Sequence, residues 1–227
     1  EREDEALWLH QIALVYDDQG QKGAALAGYQ ESLTIEQQIG NERGQPSTLE
    51  GIANIYLSLG QLERARDYTL RALDTEEKLK DRAGQGSSHN FLGDIDELAG
   101  RYAEALAHYR LALTLAQETG DRRWHVVAHA DIAGLYPHGV NAAEAEANLK
   151  AALILAEDIA SPNVLSSVHR AYARFHLRLG AFAAALTHLE AARPHIRPDG
   201  QFLNQRDLGL THWRLGNRAD AQTSFTA

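Results

Sequence analysis

The sequence predicts an all-α protein built as a solenoid of stacked antiparallel helix hairpins. Three observations support this fold class: small residues recur every 40 residues, apolar residues between them have helical spacing, and no segment shows strand alternation. One hairpin cannot bury both of its faces, whereas stacked hairpins bury a continuous core. We therefore expect a single array over residues 1–227, with repeats at about 1–40, 41–80, 81–120, 121–160, 161–196 and 197–227.

Small residues occupy three fixed phases of the repeat. The first phase lies in the first helix and holds Ala13, Ala53, Gly93, Ala133 and Ala173. The other two lie in the second helix and hold Ala25, Ala65, Ala105, Ala145 and Ala185, then Ser32, Ala72, Ala112, Ala152 and Ala192. Helix axes pack at distances set by the contacting side chains, so small residues at these phases predict close helix crossings.

Local patterns predict the helices and turns of each repeat in order. The first helix carries an apolar stripe at i, i+3, i+4 and i+7, as in Leu9, Ile12, Ala13 and Tyr16. A glycine then suits the turn, where a positive φ is required: Gly20, Gly60, Gly100 and Gly180. The second helix follows, and the next repeat begins at an N-cap residue: Asn41, Asp81, Asp121 or Ser161. Pro162, directly after Ser161, suits the first position of a helix.

Composition narrows the classes of function. The chain has no cysteine, which excludes disulfide scaffolds, thiolate zinc sites and cysteine nucleophiles. It has no long apolar run or signal-peptide pattern, and its net charge of −9 argues against nucleic-acid and membrane partners. We expect a cytoplasmic protein. Arginine outnumbers lysine by 18 to 4, which favours a bacterial origin, and the missing initial methionine suggests a piece of a longer protein.

No catalytic or metal-binding pattern is present. The sequence lacks a G-x-S-x-G motif, a P-loop and a G-x-G-x-x-G motif before a helix. His125 and His129 have a zinc-compatible spacing, but the residues between them lack the glutamate of a metalloprotease helix. The acidic pairs Asp17-Asp18 and Asp94-Ile95-Asp96 are expected on a solvated or ligand-facing surface. We predict no catalytic activity, no cofactor and no metal.

These repeats resemble the tetratricopeptide repeat, which has small residues at three positions, a glycine in its turn and an aromatic residue in each helix. Two units match in register: Ala13, Tyr16, Gly20, Ala25 and Tyr29, then Ala53, Tyr56, Gly60, Ala65 and Ala72. The 40-residue period resembles the longer variant of kinesin light chains, G-protein signalling modulators and bacterial regulators. Other units depart from the motif, since Asp96, His176 and His212 replace the first aromatic residue. The resemblance implies a right-handed superhelical solenoid.

The resemblance also implies that polar residues of the first helices line a concave, ligand-binding groove. Carried over position by position, these residues are Ser47, Glu50, Asn54, Ser87, Asn90, Asp94, Arg170, Arg174, Arg178, Arg206 and Arg214. Asn54 occupies the place where related repeats bind a peptide backbone. The lysines of a carboxylate clamp are absent, so the resemblance does not imply a site for C-terminal carboxylates.

The two halves of the chain differ in charge. Residues 1–120 carry 21 acidic and 11 basic side chains, whereas residues 121–227 carry 10 and 11. This polarity favours a protein or peptide ligand of opposite polarity. Our leading hypothesis is a non-catalytic module that binds such a segment. The alternatives are a regulatory or sensory region of a bacterial transcription regulator or signalling enzyme, and a scaffold that forms homo-oligomers through its open array ends.

Overall fold

A computed structural model describes residues 1–196 and 201–226, and this part of the chain is helical with no strands. One short 3₁₀ turn, Arg193–His195, follows the tenth helix. The α-helices are α1 (Arg2–Asp18), α2 (Lys22–Ile39), α3 (Gln45–Ser58), α4 (Leu62–Leu79), α5 (Arg82–Leu98), α6 (Tyr102–Thr119), α7 (Arg122–Gly134), α8 (Ala142–Ile159), α9 (Pro162–Leu179), α10 (Phe182–Ala192), α11 (Gln201–Arg214) and α12 (Arg218–Thr226). The predicted all-α repeat solenoid is confirmed.

The chain divides into two compact units, Glu1–Thr119 and Gly120–Ala227. In each unit, consecutive odd- and even-numbered helices pack as hairpins, and each even-numbered helix packs against the next hairpin. The core of the first unit includes Tyr29, Ile52, Ile55 and Ile95, which are almost completely buried. A smaller core cluster of the second unit contains Ala173, Leu189 and Leu208. The expectation of a single array stays a prediction.

The predicted glycine turns are present in the structure. The glycines that end the first helices have φ between +70° and +82°, a region where a Cβ atom is unfavourable: Gly20, Gly60, Gly100, Gly180 and Gly216. Gly40 and Gly120 serve the same purpose between repeats, with φ of +70° and +71°. Lys80 and Ala160 adopt the equivalent conformation without being glycine.

The three small-residue phases are buried as predicted. Every alanine of these phases is at most 3% exposed, and Ser32 is fully buried. In the third repeat, Gly93 leaves no room even for alanine, because a Cβ atom there would lie 2.4 Å from Cε1 of Tyr109. Close packing of the first and second helix of a repeat therefore depends on these positions.

The helix starts agree only in part with the predicted caps. The Asp81 and Asp121 side chains accept hydrogen bonds from backbone amides of the first turns of α5 and α7. Asn41 instead accepts from Gly44 N in the turn before α3, because that helix begins only at Gln45. Ser161 precedes Pro162 as expected but makes no side-chain cap bond. The boundary expected at residue 197 lies outside the described residues.

Leucine substitution in α6 tests the repeat register. Ala105 is fully buried and Ala107 is exposed. We expect Ala105→Leu to lower the free energy of unfolding by about 1–3 kcal/mol through overpacking. Ala107→Leu should change it by no more than about 0.5 kcal/mol. Chemical denaturation followed by circular dichroism measures both, and equal effects would contradict the register.

Candidate functional site

A cavity of about 410 Å³ lies where α3 and α5 begin and α4 ends. It contains two predicted site residues, Ser47 and Glu50, and acidic groups that sequence reasoning did not connect with them. Its lining includes Arg43, Ser47, Glu50, Glu76, Asp81 and Gly84. Three of the eight lining residues, Glu50, Glu76 and Asp81, are acidic, so the cavity offers hydrogen-bond acceptors and negative charge to a ligand.

The carboxyl groups of this cavity are shielded from water. Burial raises the pKa of Glu76 to about 7; the Ser88 hydroxyl opposes this rise, and the nearby charges of Glu50 and Asp81 contribute to it. Burial also raises the pKa of Glu50, and a hydrogen bond with the Ser87 side chain partly opposes that rise. Two carboxylate oxygens, Oε1 of Glu50 and Oε2 of Glu76, are buried without a hydrogen-bond partner in the described part of the chain. Such groups attract a cationic ligand.

Two other predicted groove residues of the first unit, Asn54 and Asp94, have partners within the chain. Asn54 Nδ2 donates to Asp17 Oδ2 at 3.2 Å. Asp94 accepts a hydrogen bond of 2.8 Å from the Tyr109 hydroxyl, and burial raises the pKa of Asp94 to about 6. Asn90 is 5% exposed and its Oδ1 has no hydrogen-bond partner among the described residues.

The second unit has a cavity of about 400 Å³ between the first helices α7 and α9. Apolar side chains dominate it, in contrast to the acidic cavity of the first unit. Its lining includes Trp124, Val126, Val127, Ala130, Val164 and Ser167. It therefore suits an apolar side chain of a ligand, because burying such a side chain is favourable without a matching polar group.

The two cavities are built from equivalent repeat positions. Five lining positions of the acidic cavity recur 80 residues later in the apolar one: 43, 46, 47, 50 and 84 correspond to 123, 126, 127, 130 and 164. The same faces of successive first helices thus form a depression in both units. Their chemistry differs because Glu50 and Gly84 are replaced by Ala130 and Val164.

The predicted arginines of the second unit fall into different environments. Arg178 donates from Nη1 to the backbone oxygens of Gly134 and Tyr136, so it holds the chain that follows α7. Arg206 pairs with its neighbour Asp207 at 2.8 Å. Arg170 is half-buried, and Arg174 and Arg214 are exposed. A ligand-binding role for any of these arginines stays a prediction.

Asp96 contradicts the surface location expected for its acidic pair. Its side chain is completely buried, and its Oδ1 accepts hydrogen bonds from Arg66 Nη1 at 2.7 Å and from Arg101 Nε at 2.8 Å. His108 Nε2 lies 3.6 Å from Oδ2 of Asp96. The position that holds an aromatic residue in the first two repeats therefore holds a structural ion cluster in the third.

Histidines of the third and fifth repeats form pairs between the two helices of a hairpin. The Nδ1 atoms of His89 and His108 lie 3.1 Å apart, as do those of His169 and His188. Burial lowers the pKa of all four side chains, and that of His188 falls to about 4. His125 and His129 stack at 5.6 Å, and the described residues contain no cluster of three or more candidate metal ligands.

The first helix exposes an apolar face. Trp8 is 67% exposed and Val15 is 54% exposed. The residues at the same phases of α3, Thr48 and Ile55, are fully buried. The equivalent face of α3 packs against the second helix of the preceding repeat, α2. Among the described helices, none is both long and apolar enough to cross a membrane.

Comparisons with known proteins relate this fold to repeat proteins. Residues 44–118 match the family model described as tetratricopeptide repeat, and comparison with curated proteins gives no match. BtubC (BKLC) from P. vanneervenii superposes with a TM-score of 0.74 at 15% identity, over 88% of this chain and 87% of that protein. The Rap protein complexed with competence and sporulation factor gives 0.77 at 16% identity, over 100% of this chain and 63% of Rap.

A third solved structure, of a putative kinesin light chain from Podospora anserina with nearly identical TPR-like repeats, gives a TM-score of 0.65 at 16% identity. The superposition includes 86% of this chain and 96% of that protein. These low identities establish the fold, and the family match establishes the repeat signature; together they confirm the resemblance noted in the sequence. The chain therefore has the fold of a tetratricopeptide repeat solenoid and carries the sequence signature of that family in residues 44–118.

Proposed function

We propose that this chain is a non-catalytic module that binds a protein or peptide segment on the exposed faces of its first helices. The observation that carries the proposal is the pair of equivalent cavities, one between α3 and α5 and one between α7 and α9. Within each unit the cavity lies between the first helices of successive repeats, where a side chain of a bound segment can enter. The fold is also shared with the Rap protein, which was solved as a complex with competence and sporulation factor.

The chemistry of each unit specifies the segment that it would bind. The first unit carries a formal charge of −10 and an acidic cavity, so it favours a basic stretch of ligand. The second unit has a formal charge of +1 and an apolar cavity formed by Trp124, Val127 and Val164. It favours a stretch with an apolar anchor, and the exposed Arg174 on α9 favours an acidic neighbour.

Blocking the two cavities tests this function. A ligand is selected from a displayed library of short random peptides on the intact chain, and its affinity is measured by fluorescence anisotropy. Ser47→Trp and Val127→Arg introduce large side chains at exposed cavity positions. We expect each to weaken the affinity at least about tenfold, or 1.4 kcal/mol, because the entering ligand side chain is displaced.

Matched controls lie on the second helices. Ala107→Trp and Ala147→Arg place the same side chains at exposed positions of α6 and α8 and should leave the affinity unchanged. If the second-helix variants weaken binding and the cavity variants do not, the ligand binds elsewhere and the proposal is wrong.

The exposed apolar face of α1 favours one alternative, a self-associating scaffold. Trp8 and Val15 would be covered if the α1 face packed against a second copy of the chain. This alternative predicts a mass that rises with concentration in light scattering and falls to that of one chain in Trp8→Glu. A constant single-chain mass for the parent protein would eliminate it.

A further inference from the structure

The acidic cavity of the first unit contains a carboxyl group that is buried too deeply for an ordinary surface role. Glu76 is 1% exposed, and its side chain lines the cavity beside the Ser88 hydroxyl. Its Oε2 nevertheless has no hydrogen-bond partner among the residues that the structure describes. A buried acceptor without a donor is unfavourable, and proteins satisfy nearly all such groups. Because the Glu76 side chain lines a cavity, this acceptor can receive a hydrogen bond from a ligand that enters it.

A second acceptor faces the same space. Glu50 from α3 contributes Oε1, for which residues 1–196 and 201–226 also provide no hydrogen-bond partner. Asp81 from the start of α5 completes the acidic lining, and its Oδ1 is held by a hydrogen bond of 3.0 Å from Gly84 N. Gly84 leaves room for these groups, since a Cβ atom there would lie 2.9 Å from Oδ2 of Asp81 and from Cδ of Glu76.

The preceding repeat provides an internal comparison. Glu36 is the counterpart of Glu76 and is 5% exposed. Its Oε1 accepts a hydrogen bond of 3.1 Å from Thr48, and its Oε2, like that of Glu76, is buried without a partner among the described residues, so the two repeats differ in the number of carboxyl groups. The counterparts of Glu50 and Asp81 are His10 and Asn41, which carry no carboxylate. One buried carboxyl thus suffices for packing at this junction, and packing does not explain the three acidic groups one repeat later.

We infer that this cavity binds the ammonium or guanidinium group of a basic side chain, supplied by the peptide on which the proposed function rests. Both groups carry several N–H donors and a positive charge, which match two unpaired carboxylate oxygens and a third carboxylate nearby. A volume of about 410 Å³ is within the range of small-ligand pockets and accommodates such a group. Arg43 is a basic residue of the lining, and its positive charge opposes the entry of a cationic group.

Small cations test the cavity without requiring a known peptide. We would titrate the isotope-labelled chain with butylammonium and butylguanidinium and follow backbone amide shifts by NMR, with butyramide as the neutral probe. Saturable shifts at Gly84 and Ser88 are expected for the cations and not for butyramide. Glu76→Gln and Glu50→Gln should each weaken cation binding about tenfold, because each removes one charged acceptor. Glu36→Gln, the counterpart one repeat earlier, should leave cation binding unchanged, and Arg43→Ala should tighten it.

Proton release provides a second readout. A cation favours the charged form of Glu76, whose pKa in the free protein is about 7, so binding expels a proton from the neutral form. Glu50 and Asp81 share the cavity and raise that pKa, while Arg43 and Ser88 face the same region. We expect the affinity to fall about tenfold between pH 8 and pH 6 in the parent, and to be less sensitive to pH in Glu76→Gln.

The outcomes separate this inference from the proposed function. Equal binding of butyramide, or unchanged cation binding in Glu76→Gln, overturns the cationic site. A selected peptide that is sensitive to Ser47→Trp but indifferent to replacement of its own lysines and arginines by norleucine also overturns it, and leaves the proposed function intact. If the cations bind through Glu76 but no peptide is sensitive to the cavity variants, the cationic site stands with a free amine as its ligand, and the peptide-binding function fails.

Discussion

Glu76→Gln should make the protein more stable at pH 8, although it removes a charged group from a folded structure. The pKa of Glu76 in the folded protein is about 7, above its ordinary value of 4.5, because the carboxyl is buried. The stability associated with its proton is fully present below pH 4.5 and is lost as the pH rises through 7. A shift of this size corresponds to about 3 kcal/mol, so the neutral variant should gain up to that amount at pH 8.

Denaturation of the parent and the variant between pH 4.5 and pH 8 measures this effect. The two proteins should be nearly equal in stability at the acidic end and diverge toward the basic end. Glu77→Gln is the matched control, because Glu77 is the exposed neighbour on the same helix. A variant that is less stable than the parent at pH 8 would show that the Glu76 carboxylate is well solvated in the folded protein.

Asp96→Ala should destabilise the first unit by about 3 kcal/mol. Asp96 is completely buried and accepts hydrogen bonds from Arg66 and Arg101 on the same oxygen. Removing one partner of a buried ion cluster leaves the remaining charges without compensation, which costs about 3–5 kcal/mol when they stay buried. The two arginines are 31% and 38% exposed, so part of their charge returns to water and the lower end of that range is expected.

A nearby exposed acid supplies the comparison. Asp67 lies beside Arg66 on α4 and is exposed, so Asp67→Ala should change the free energy of unfolding by no more than about 0.5 kcal/mol. Urea denaturation of both variants measures the difference. If Asp96→Ala were as mild as Asp67→Ala, the arginines would gain as much from water as from the carboxylate, and the cluster would be irrelevant to stability.

The parts of the fold that sequence reasoning predicts are those with local or periodic causes. The turn glycines follow from a backbone requirement at a single residue, and the φ angles of Gly20 and Gly60 satisfy it. Ala105 and its counterparts follow from repetition at one phase, and all are fully buried. In both cases the requirement lies within one repeat and applies again in the next. A single sequence therefore shows the same residue pattern several times.

The features that sequence reasoning misses depend on partners from other helices. Asp96 bonds with Arg66, 30 residues away, and Arg178 bonds with backbone oxygens more than 40 residues away. Asp96 does not recur at the same position of another repeat, so the repeat pattern does not reveal its role. Glu76 did have a signal: glutamate followed eight residues later by glycine occurs at positions 36 and 44 and again at 76 and 84.

This glutamate–glycine pairing limits how the repeats can be exchanged during evolution. Gly44 and Gly84 have no side chain where a Cβ atom would lie within 3 Å of the buried carboxyl of the preceding repeat. In later repeats the small residue comes first and the larger one second: Ala116 and Ala156 replace the glutamate, and Trp124 and Val164 replace the glycine. A recombination breakpoint between position 76 and position 84 could join a glutamate to a tryptophan or valine, and the carboxyl would then overlap the new side chain. The end of one repeat and the start of the next must therefore be inherited together. Duplications that preserve folding should have their breakpoints inside the helix hairpins rather than between them.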